Sequence, residues 1–401
     1  MDISDLPNLA STQLGAKILF STDEWFAVAE NMISDTEPVW KEEAFSPFGK
    51  WMDGWESRRR RTAGHDWSIV QLGIPGRIRA IEVDTAFFTG NFCPQVSIYG
   101  ANLEGGSPTI SQLEEQRAKS KEGRDDLGRM GLCATEEEFA TVAQLKSEDW
   151  QVLVPLSPLG AGYEETRKTM FYISEGNKSD VFTHLRVNMG PDGGIARIRV
   201  YGEVVASPET LRKAATAAGG KPIDLLSVQL GGLAVSCSNT HYGHPRNLVA
   251  PGRGNCMGDG WETARQPKRP AVYEKDPNTG LMVLPGCDWA MLKLGVKGVI
   301  SALEVDTNFF TGNYPESCLV RDIVTEEQQL QALQASGSGE WKVLLPRTRL
   351  GPGALHYFNS AENHINNVGA VTHLKITIYP DGGVMRLRAL GFPSPDANSR
   401  L

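Results

Sequence analysis

The chain has 401 residues, of which 40% are hydrophobic and 22% charged, and its formal net charge is −8. This composition is typical of a globular protein, and the length favours two domains. The acidic balance argues against a nucleic-acid binder, and without an apolar run of about 18 residues no membrane span is predicted.

The start of the chain and its cysteines indicate an intracellular protein. Residues 1–15 have neither the basic start nor the apolar stretch of a secretory signal. The six cysteines, at positions 93, 133, 237, 256, 287 and 318, include no C-x-x-C pair. In a chain of this length they predict free thiols in a reducing compartment.

An internal repeat is the strongest signal in the sequence. The segment EVDTAFFTGNF at 82–92 returns as EVDTNFFTGNY at 304–314, with nine of eleven positions identical. Other blocks recur in the same order, including DGWES with DGWET, HDW with CDW, and THLRVNMGPDGG with THLKITIYPDGG. Repeated blocks in one order predict a tandem duplication of one domain.

The blocks divide the chain into two repeats, a linker and a tail. We predict repeat 1 at 1–205, a linker at 206–226, repeat 2 at 227–392 and a C-terminal tail at 393–401. The linker segment SPETLRKAATAA is predicted to form a helix. The tail ends in Ser399, Arg400 and Leu401, a variant of the peroxisomal address S-K-L, which predicts a peroxisomal or a cytosolic protein.

Most of each repeat is predicted to form short strands. SIVQLGI, RAIEVDT, QVSIYGA and WQVLVPL are β-rich runs bounded by Gly, Pro and Asn. ARIRVYG and MRLRALG alternate basic and apolar residues, which predicts one solvent-facing side and one core side. Capping boxes at Thr135 and Thr325 each predict one surface helix. The pattern predicts an all-β chain of two tandem jelly-roll β-sandwich domains, similar to galactose-binding-like proteins, with few short helices.

Paired acids are the first candidates for chemistry. The predicted catalytic residues are Glu82, Asp84, Glu304 and Asp306. The acids of each pair are two positions apart on a predicted strand, so they share one face. The polar residues that follow at the strand end, and that are predicted to bind substrate, are Thr89, Asn91, Thr311 and Asn313. Two acids beside polar loop residues favour acid–base catalysis, while the alternative is that the acids bind the backbone of a neighbouring loop.

The D-G-W-E blocks supply further substrate-binding candidates. These are Asp53, Glu56, Arg59, Asp259, Glu262 and Arg265. The fork of an arginine suits bidentate binding of a carboxylate, and the glycine lets a ligand approach the backbone. The alternative is a tryptophan anchor beside an ordinary loop salt bridge.

The histidines give weaker signals. His65 has no histidine counterpart in repeat 2, so at most one repeat can use it as a base. His184 and His373 match within T-H-L on predicted strands, which favours a hydrogen-bonded structural role. His241 and His244 form an HxxH pair in repeat 2 alone, which is a weak metal signal without a third ligand nearby.

Taken together, the repeated blocks resemble those of the allantoicase family. The residues that carry the resemblance are FSTDEWFAVAENMI (20–33), DGWESRR (53–59), EVDTAFFTGN (82–91), YGHPRNLVAPGRG (242–254), GDGWETAR (258–265) and EVDTNFFTGN (304–313). The resemblance spans residues 15–391 and includes the duplication itself.

The resemblance implies two jelly-roll repeats and a hydrolase acting on linear amidines. The family converts allantoate to ureidoglycolate and urea in purine degradation. No cofactor is certain, although the resemblance leaves a divalent metal such as manganese open. The expected partner is the small molecule allantoate, with no nucleic acid and no membrane. A homo-oligomer, and activity in one repeat or both, are left open.

Loss of urea from allantoate requires a proton on a ureido nitrogen and a water at the carbon that carries the two ureido groups. We expect the acid pairs to supply the acid and the base. Arg59 or Arg265 is expected to bind the substrate carboxylate, and Asn91 or Asn313 a ureido group. A metal-activated water, with the same acids as oxygen ligands, is the alternative mechanism.

A rival hypothesis is a non-catalytic jelly roll that binds carbohydrate or another ligand. Such modules bind sugars on loops with exposed aromatic side chains. The aromatic candidates for this role are Trp55, Trp261, Phe88 and Phe310.

Overall fold

The computed structural model describes residues 3–103, 107–124, 126–270, 272–325 and 341–394. The chain divides into two compact units: one spans Leu6–Val205, and the other begins at Ala206 and takes in the N-terminal residues up to Asp5. The helix expected after Thr325 and the tripeptide Ser399–Leu401 lie outside the described residues, so both stay predictions. In the described part of the chain, no helix is long and apolar enough to cross a membrane.

The first unit is built from strands with two helices inserted between them. Its strands are β1 (Lys17–Ser21), β2 (Phe45–Ser46), β3 (Gly49–Lys50), β4 (Trp55–Glu56), β5 (Trp67–Asp84), β6 (Gln95–Ala101), β7 (Gln151–Pro158), β8 (Lys168–Tyr172), β9 (Phe182–Gly190), β10 (Gly194–Ile195) and β11 (Arg197–Val204). Its helices are α1 (Pro108–Lys119) and α2 (Glu136–Ala143).

The second unit follows a similar order of strands. It opens with α3 (Pro208–Ala217), which confirms the predicted linker helix. Its strands are β12 (Ile223–Asp224), β13 (Leu233–Cys237), β14 (Trp261–Glu262), β15 (Glu274–Lys275), β16 (Met282–Val283), β17 (Asp288–Asp306), β18 (Ser317–Ile323), β19 (Lys342–Arg349), β20 (Leu355–Asn359), β21 (Ala370–Tyr379), β22 (Gly383–Val384) and β23 (Arg386–Pro393).

One long strand in each unit takes part in both layers of a β-sandwich. The first part of β5 pairs with β1 and β9, and the second part pairs with β11 and β8, always antiparallel. In the second unit, β17 pairs in the same way with β13 and β21 and then with β23 and β20. The predicted all-β class of two jelly-roll repeats is therefore confirmed.

The prediction of two separate short strands, SIVQLGI and RAIEVDT, is wrong, because both belong to β5. The register of the β5–β9 pairing shifts between Gln71 and Gly76, where the strand passes between layers. A Cβ on Gly76 would lie 2.6 Å from Leu9 Cδ1 and 2.7 Å from the Glu203 carbonyl oxygen. Glycine therefore lets the chain change layers without a loop.

The sandwich core and the polar candidates lie on opposite sides of β5. Ile81 and Val83 are fully buried in the core. Burial of an aliphatic side chain of this size contributes about 1.5–3 kcal/mol. Because side chains alternate along a strand, Glu82 and Asp84 lie together on the other face.

The basic side of β11 is not the solvent-facing side that its alternation predicts. Arg197 is only 1% exposed. Its guanidinium donates to the carbonyl oxygens of Thr36 (2.9 Å) and Asp53 (3.1 Å) and forms a salt bridge with the Asp53 carboxylate. A loop that covers the sheet therefore buries this basic face by supplying acceptors to the guanidinium.

The helical insertion and the cysteines follow the predictions. The Thr135 hydroxyl accepts from the Glu138 backbone N–H, and Glu138 accepts from the Thr135 backbone N–H, which confirms the capping box of α2. All six cysteines are free thiols.

Candidate functional site

The D-G-W-E, F-F-T-G-N and P-D-G-G blocks meet at one buried phenylalanine in each unit. Phe88 and Phe310, the second aromatic residues of F-F-T-G-N, are both fully buried. The P-D-G-G glycines press on these rings: a Cβ on Gly194 would lie 2.1 Å from Phe88 Cδ1, and a Cβ on Gly383 would lie 2.1 Å from Phe310 Cδ1. The contact explains why these blocks recur together, since the ring and the glycine must change together.

Replacing Gly194 by alanine is expected to destabilise the first unit by about 3 kcal/mol, because a methyl group cannot share space with the Phe88 ring. Gly90→Ala is the matched control, because a Cβ there would meet nothing within 4 Å. Thermal unfolding of both variants checks this. Equal melting temperatures would contradict the prediction, because they would show that the Phe88 ring moves aside without loss of stability.

The F-F-T-G-N turn holds a strained backbone in both units. Phe87 and Phe309 have φ values of 67° and 68°, a left-handed conformation that bulky residues rarely adopt. The Thr85 hydroxyl secures the turn by donating to the carbonyl oxygen of Gly160 at 2.8 Å. Thr307 donates to the Gly351 carbonyl oxygen in the same way. Strain kept in both copies is typical of functional sites.

A carboxyl–amide pair is the first polar feature at this turn. Asn91 Nδ2 donates to Glu56 Oε1 at 2.6 Å, and Asn313 Nδ2 donates to Glu262 Oε1 at 2.5 Å. Glu56 is 8% exposed, and burial raises its pKa to about 7, although the Asn91 hydrogen bond and the Arg59 charge act in the opposite direction. A carboxyl group that titrates near neutral pH suits proton transfer.

Arg59 lies beside this pair. Its Nη1 donates to Asp192 Oδ1 at 3.0 Å and its Nη2 to the Gly90 carbonyl oxygen at 2.9 Å. Its side chain is nevertheless 57% exposed, so a ligand can reach the guanidinium. Thr89 and Gly90 are exposed on the same turn.

In the second unit, the arginine that contacts the P-D-G-G aspartate is not the one that aligns with Arg59. Arg265, which aligns with Arg59, is exposed, whereas Arg269 Nη2 lies 2.7 Å from Asp381 Oδ1. Asp381 is the counterpart of Asp192 in the repeated P-D-G-G block. Neither aspartate is among the predicted site residues, although the P-D-G-G block recurs in both copies.

In the first unit, the predicted catalytic acids face basic groups and the backbone. Asp84 Oδ1 accepts from the Ala86 N–H, and Asp84 Oδ2 from Arg167 Nη1 at 2.9 Å. Burial raises the pKa of Asp84, against these bonds. Glu82 Oε1 lies 3.7 Å from Lys168 Nζ. The pair therefore shares one face, as expected, but two cations partly neutralise it.

The second unit neutralises its acid pair from another element. Arg253 forms a salt bridge with Glu304, and its Nη1 lies 3.4 Å from Asp306 Oδ2. Asp306 Oδ1 accepts from the Asn308 N–H at 2.8 Å. Leu355 takes the position opposite Asp306 that Lys168 takes opposite Asp84. The cation therefore comes from a loop in this unit and from the sheet in the other.

The two aspartates of the D-G-W-E blocks are internal acceptors. Asp53 Oδ2 accepts from Arg197 Nη2 and from the Val39 N–H. Asp259 Oδ2 accepts from the Asn255 N–H at 2.7 Å. Thr311, the counterpart of Thr89, is exposed on the F-F-T-G-N turn of the second unit. Asp53 therefore fixes the loop that covers β11.

The aromatic residues proposed as an exposed sugar platform are buried. Trp55, Trp261, Phe88 and Phe310 are all 0% exposed. Gly54 serves packing as well, not ligand approach, because a Cβ there would lie 2.6 Å from the Ile195 carbonyl oxygen. These side chains build the core beneath the turn, so the carbohydrate-binding alternative loses its aromatic surface.

Three histidines have polar partners other than the carboxyl–amide pairs. Burial lowers the pKa of His184 to about 4, and its Nδ1 lies 2.8 Å from the Thr183 hydroxyl. His65 Nε2 lies 3.0 Å from Asn188 Oδ1. His244 Nε2 lies 2.9 Å from Asp5 Oδ1. In the described part of the chain, no side-chain hydrogen bond or ion pair joins His65, His184 or His244 to Glu56 or Glu262.

The residues present do not fit a manganese site. Within the described ranges, no three His, Cys, Asp or Glu side chains come together as a metal-binding group. The acid pairs that the metal alternative needs face arginine and lysine, whose positive charges disfavour a divalent cation.

Known proteins resemble this chain along nearly its whole length. The sequence model of the Allantoicase repeat matches residues 7–205 and 223–394. A protein named "Probable allantoicase" from Pseudomonas syringae pv. syringae (strain B728a) is 36% identical over 384 residues, which cover 96% of this chain and 95% of the relative. The protein of the same name from Pseudomonas aeruginosa (strain UCBPP-PA14) is 36% identical over 386 residues, or 96% of each chain.

The fold agrees with this relationship. The crystal structure of allantoicase from Saccharomyces cerevisiae matches with a TM-score of 0.64 and 30% identity, and the match covers 97% of this chain and 95% of the yeast chain. A second allantoicase structure also matches with a TM-score of 0.64 and 30% identity, over 96% of this chain and 93% of that one. Because the family model matches both repeats and relatives that are 36% identical are covered almost completely, this chain belongs to the allantoicase family.

Proposed function

We propose that this chain is an allantoate amidinohydrolase. In this reaction, water replaces one ureido group of allantoate, and the products are ureidoglycolate and urea. Family membership over 96% of the chain supports the reaction. The observation that carries the chemistry is the buried Glu56 carboxyl, which has a pKa of about 7 and is held by Asn91 beside the accessible Arg59.

Each group of this site has a role in the proposed reaction. Protonated Glu56 donates its proton to the nitrogen of the departing ureido group, so that urea leaves as a neutral molecule. The resulting carboxylate takes a proton from the water that adds to the same carbon. Arg59 binds the substrate carboxylate through its exposed guanidinium edge. Asn91 fixes the orientation of the Glu56 carboxyl.

The contacts favour Glu56 over the acid pairs as the proton donor. Asp84 already accepts from a backbone N–H and from Arg167, and Glu304 is held by Arg253. The oxygens of these carboxylates are therefore already taken up by protein donors, whereas Glu56 accepts from Asn91 beside the accessible Arg59. The catalytic role of Glu82, Asp84, Glu304 and Asp306 stays a prediction, which the double variant Asp84→Asn, Asp306→Asn tests by its rate of urea release.

Urea release from allantoate by the purified protein tests the proposed reaction. We expect release that EDTA does not abolish and Mn²⁺ does not increase, because no described cluster fits a metal. Loss of activity with EDTA and recovery with Mn²⁺ would show that a metal is needed after all. No release in any condition would refute the proposed reaction.

The stability of the first unit is expected to fall as pH rises from about 4.5 to about 7. Glu56 has a folded pKa of about 7 against an ordinary value of 4.5. In this window the folded state keeps the proton that the unfolded state loses, so rising pH favours unfolding by up to about 3 kcal/mol. Chemical denaturation at several pH values measures this slope.

Glu56→Gln should remove this contribution, because glutamine does not titrate. Glu262→Gln is the matched control and should keep the slope of the wild type. If Glu56→Gln retained the full slope, the Glu56 carboxyl would not be its source.

A further inference from the structure

A cleft of about 540 Å³ lies on the face of the first unit where β6 and β9 are neighbours. Its volume falls in the range of small-molecule sites. Its polar lining includes His65, Gln95, Tyr99, Glu148, Arg186 and Asn188. None of these residues belongs to the carboxyl–amide pair or to the acid pair.

Arg186 is the fixed centre of this cleft. The residue is 8% exposed, and its guanidinium carbon lies 3.9 Å from the ring centroid of Trp67. Its Nε donates to Asn188 Oδ1 and its Nη1 to Ser147 Oγ, both at 2.8 Å. An arginine stacked on an aromatic ring and held at two nitrogens is preorganised for a planar anion.

The carboxylate partner of this guanidinium is weakly held. Glu148 Oε2 lies 3.4 Å from Arg186 Nη1, and the Glu148 side chain is 63% exposed. Because solvent screens the exposed Glu148 carboxylate, this ion pair contributes little. Within the described residues, Arg186 Nη2 forms no hydrogen bond. A buried cation with one loose partner can therefore exchange that partner for a carboxylate from solution.

We propose that this cleft binds a small carboxylate that carries further hydrogen-bonding groups. The ligand carboxylate takes the place of Glu148 on Arg186 and forms the bidentate pair that Glu148 does not form. Gln95, Tyr99 and His65 bind the rest of the ligand. Asn188 Oδ1 accepts a hydrogen bond from Arg186 Nε and lies 3.0 Å from His65 Nε2, so it orients both side chains for the ligand.

The second unit indicates which part of this arrangement is shared by the repeats. Lys375 lies over the ring of Trp289 at 4.6 Å, in the position of Arg186 over Trp67. Arg321 lies opposite Lys375 where Tyr99 lies opposite Arg186. A cation stacked on a tryptophan is therefore common to both units. The arginine guanidinium with polar side chains around it is found at this position in the first unit. A lysine on the ring is compatible with the fold.

Calorimetric titration with N-carbamoylglycine, a carboxylate with one ureido group, tests the proposal. Arg186→Lys should keep the melting temperature near that of the wild type, as the lysine of the second unit indicates. It should weaken binding at the cleft by about tenfold or more, because one point charge replaces a bidentate fork. Glu148→Gln should strengthen binding by about two- to fivefold, because the competing carboxylate is removed.

The proposal is independent of the reaction at Glu56. Titrations repeated in an Arg59→Gln background remove binding at the carboxyl–amide site and should leave both effects unchanged. Absence of binding at millimolar probe, or binding that neither Arg186→Lys nor Glu148→Gln alters, would overturn the proposal. Loss of the signal in Arg59→Gln alone would place the probe at the carboxyl–amide site and would also overturn it.

Discussion

Replacing Glu56 by glutamine is expected to lower kcat for allantoate by about 10²- to 10⁴-fold, the usual contribution of a general acid–base group. Glutamine keeps the shape of the side chain and the acceptor for Asn91 Nδ2, but it has no acidic proton to transfer. KM should change little, because Arg59 still binds the substrate carboxylate. Urea release at saturating allantoate measures the effect, and thermal unfolding confirms that the variant is folded.

The pH profile gives a readout that a structural role would not move. If Glu56 must be protonated, kcat should fall as pH rises above about 7, the pKa that burial gives this carboxyl. Asn91→Ala removes a hydrogen bond that favours the charged form of Glu56. The pH above which kcat falls should therefore shift to a higher value. An unchanged pH profile would contradict the assignment.

The second carboxyl–amide pair provides the matched control for catalysis. Glu262→Gln removes the equivalent carboxyl beside Asn313. If only the first repeat is active, Glu262→Gln keeps its rate while Glu56→Gln loses it. Equal losses would mean that both repeats take part. Full activity in Glu56→Gln would refute the proposed proton donor.

Replacing Glu24 by glutamine is expected to destabilise the first unit by about 3–5 kcal/mol, because it breaks a buried ion network. Glu24 is 0% exposed. Its Oε1 accepts from Arg117 Nη2 at 2.6 Å and its Oε2 from Arg129 Nε at 2.7 Å. The neutral amide would leave two buried guanidinium groups close together with one negative charge fewer. Chemical denaturation measures the loss.

A surface pair provides the control for this second prediction. Glu114 pairs with Lys17 while 38% exposed, so Glu114→Gln should change stability by less than about 1 kcal/mol. Glu24 Oε1 also accepts from the Ala29 N–H, which ties the network to the loop after β1. If Glu24→Gln were as stable as Glu114→Gln, water or a rearranged Glu30 would have to compensate the arginines.

The loop beside the acid pair carries an acidic residue in the first unit and a basic residue at the matching place in the second. Arg199 donates to the Thr36 carbonyl oxygen, and Arg388 donates to that of Gly252, so the next residues, Glu37 and Arg253, hold matching places. Glu37 forms a salt bridge with Arg199, whereas Arg253 binds the acid pair itself. The duplicated sites have therefore diverged in charge while keeping their fold.

The amino-acid sequence by itself determined the features that depend on local pattern and on repetition. The recurrence of EVDT-x-FFTGN revealed the duplication, and the capping box at Thr135 predicted α2, because the bonds of a cap join residues three positions apart. Family membership followed from blocks spread over most of the chain.

Only the tertiary structure decided which polar groups meet. Glu56 and Asn91 are 35 residues apart, and Arg59 and Asp192 are 133 apart, so no local spacing links them. The burial of Arg197 depends on a loop more than 140 residues away. A side chain's pKa and accessibility are set by what the folded chain packs around it, and long-range contacts provide that packing.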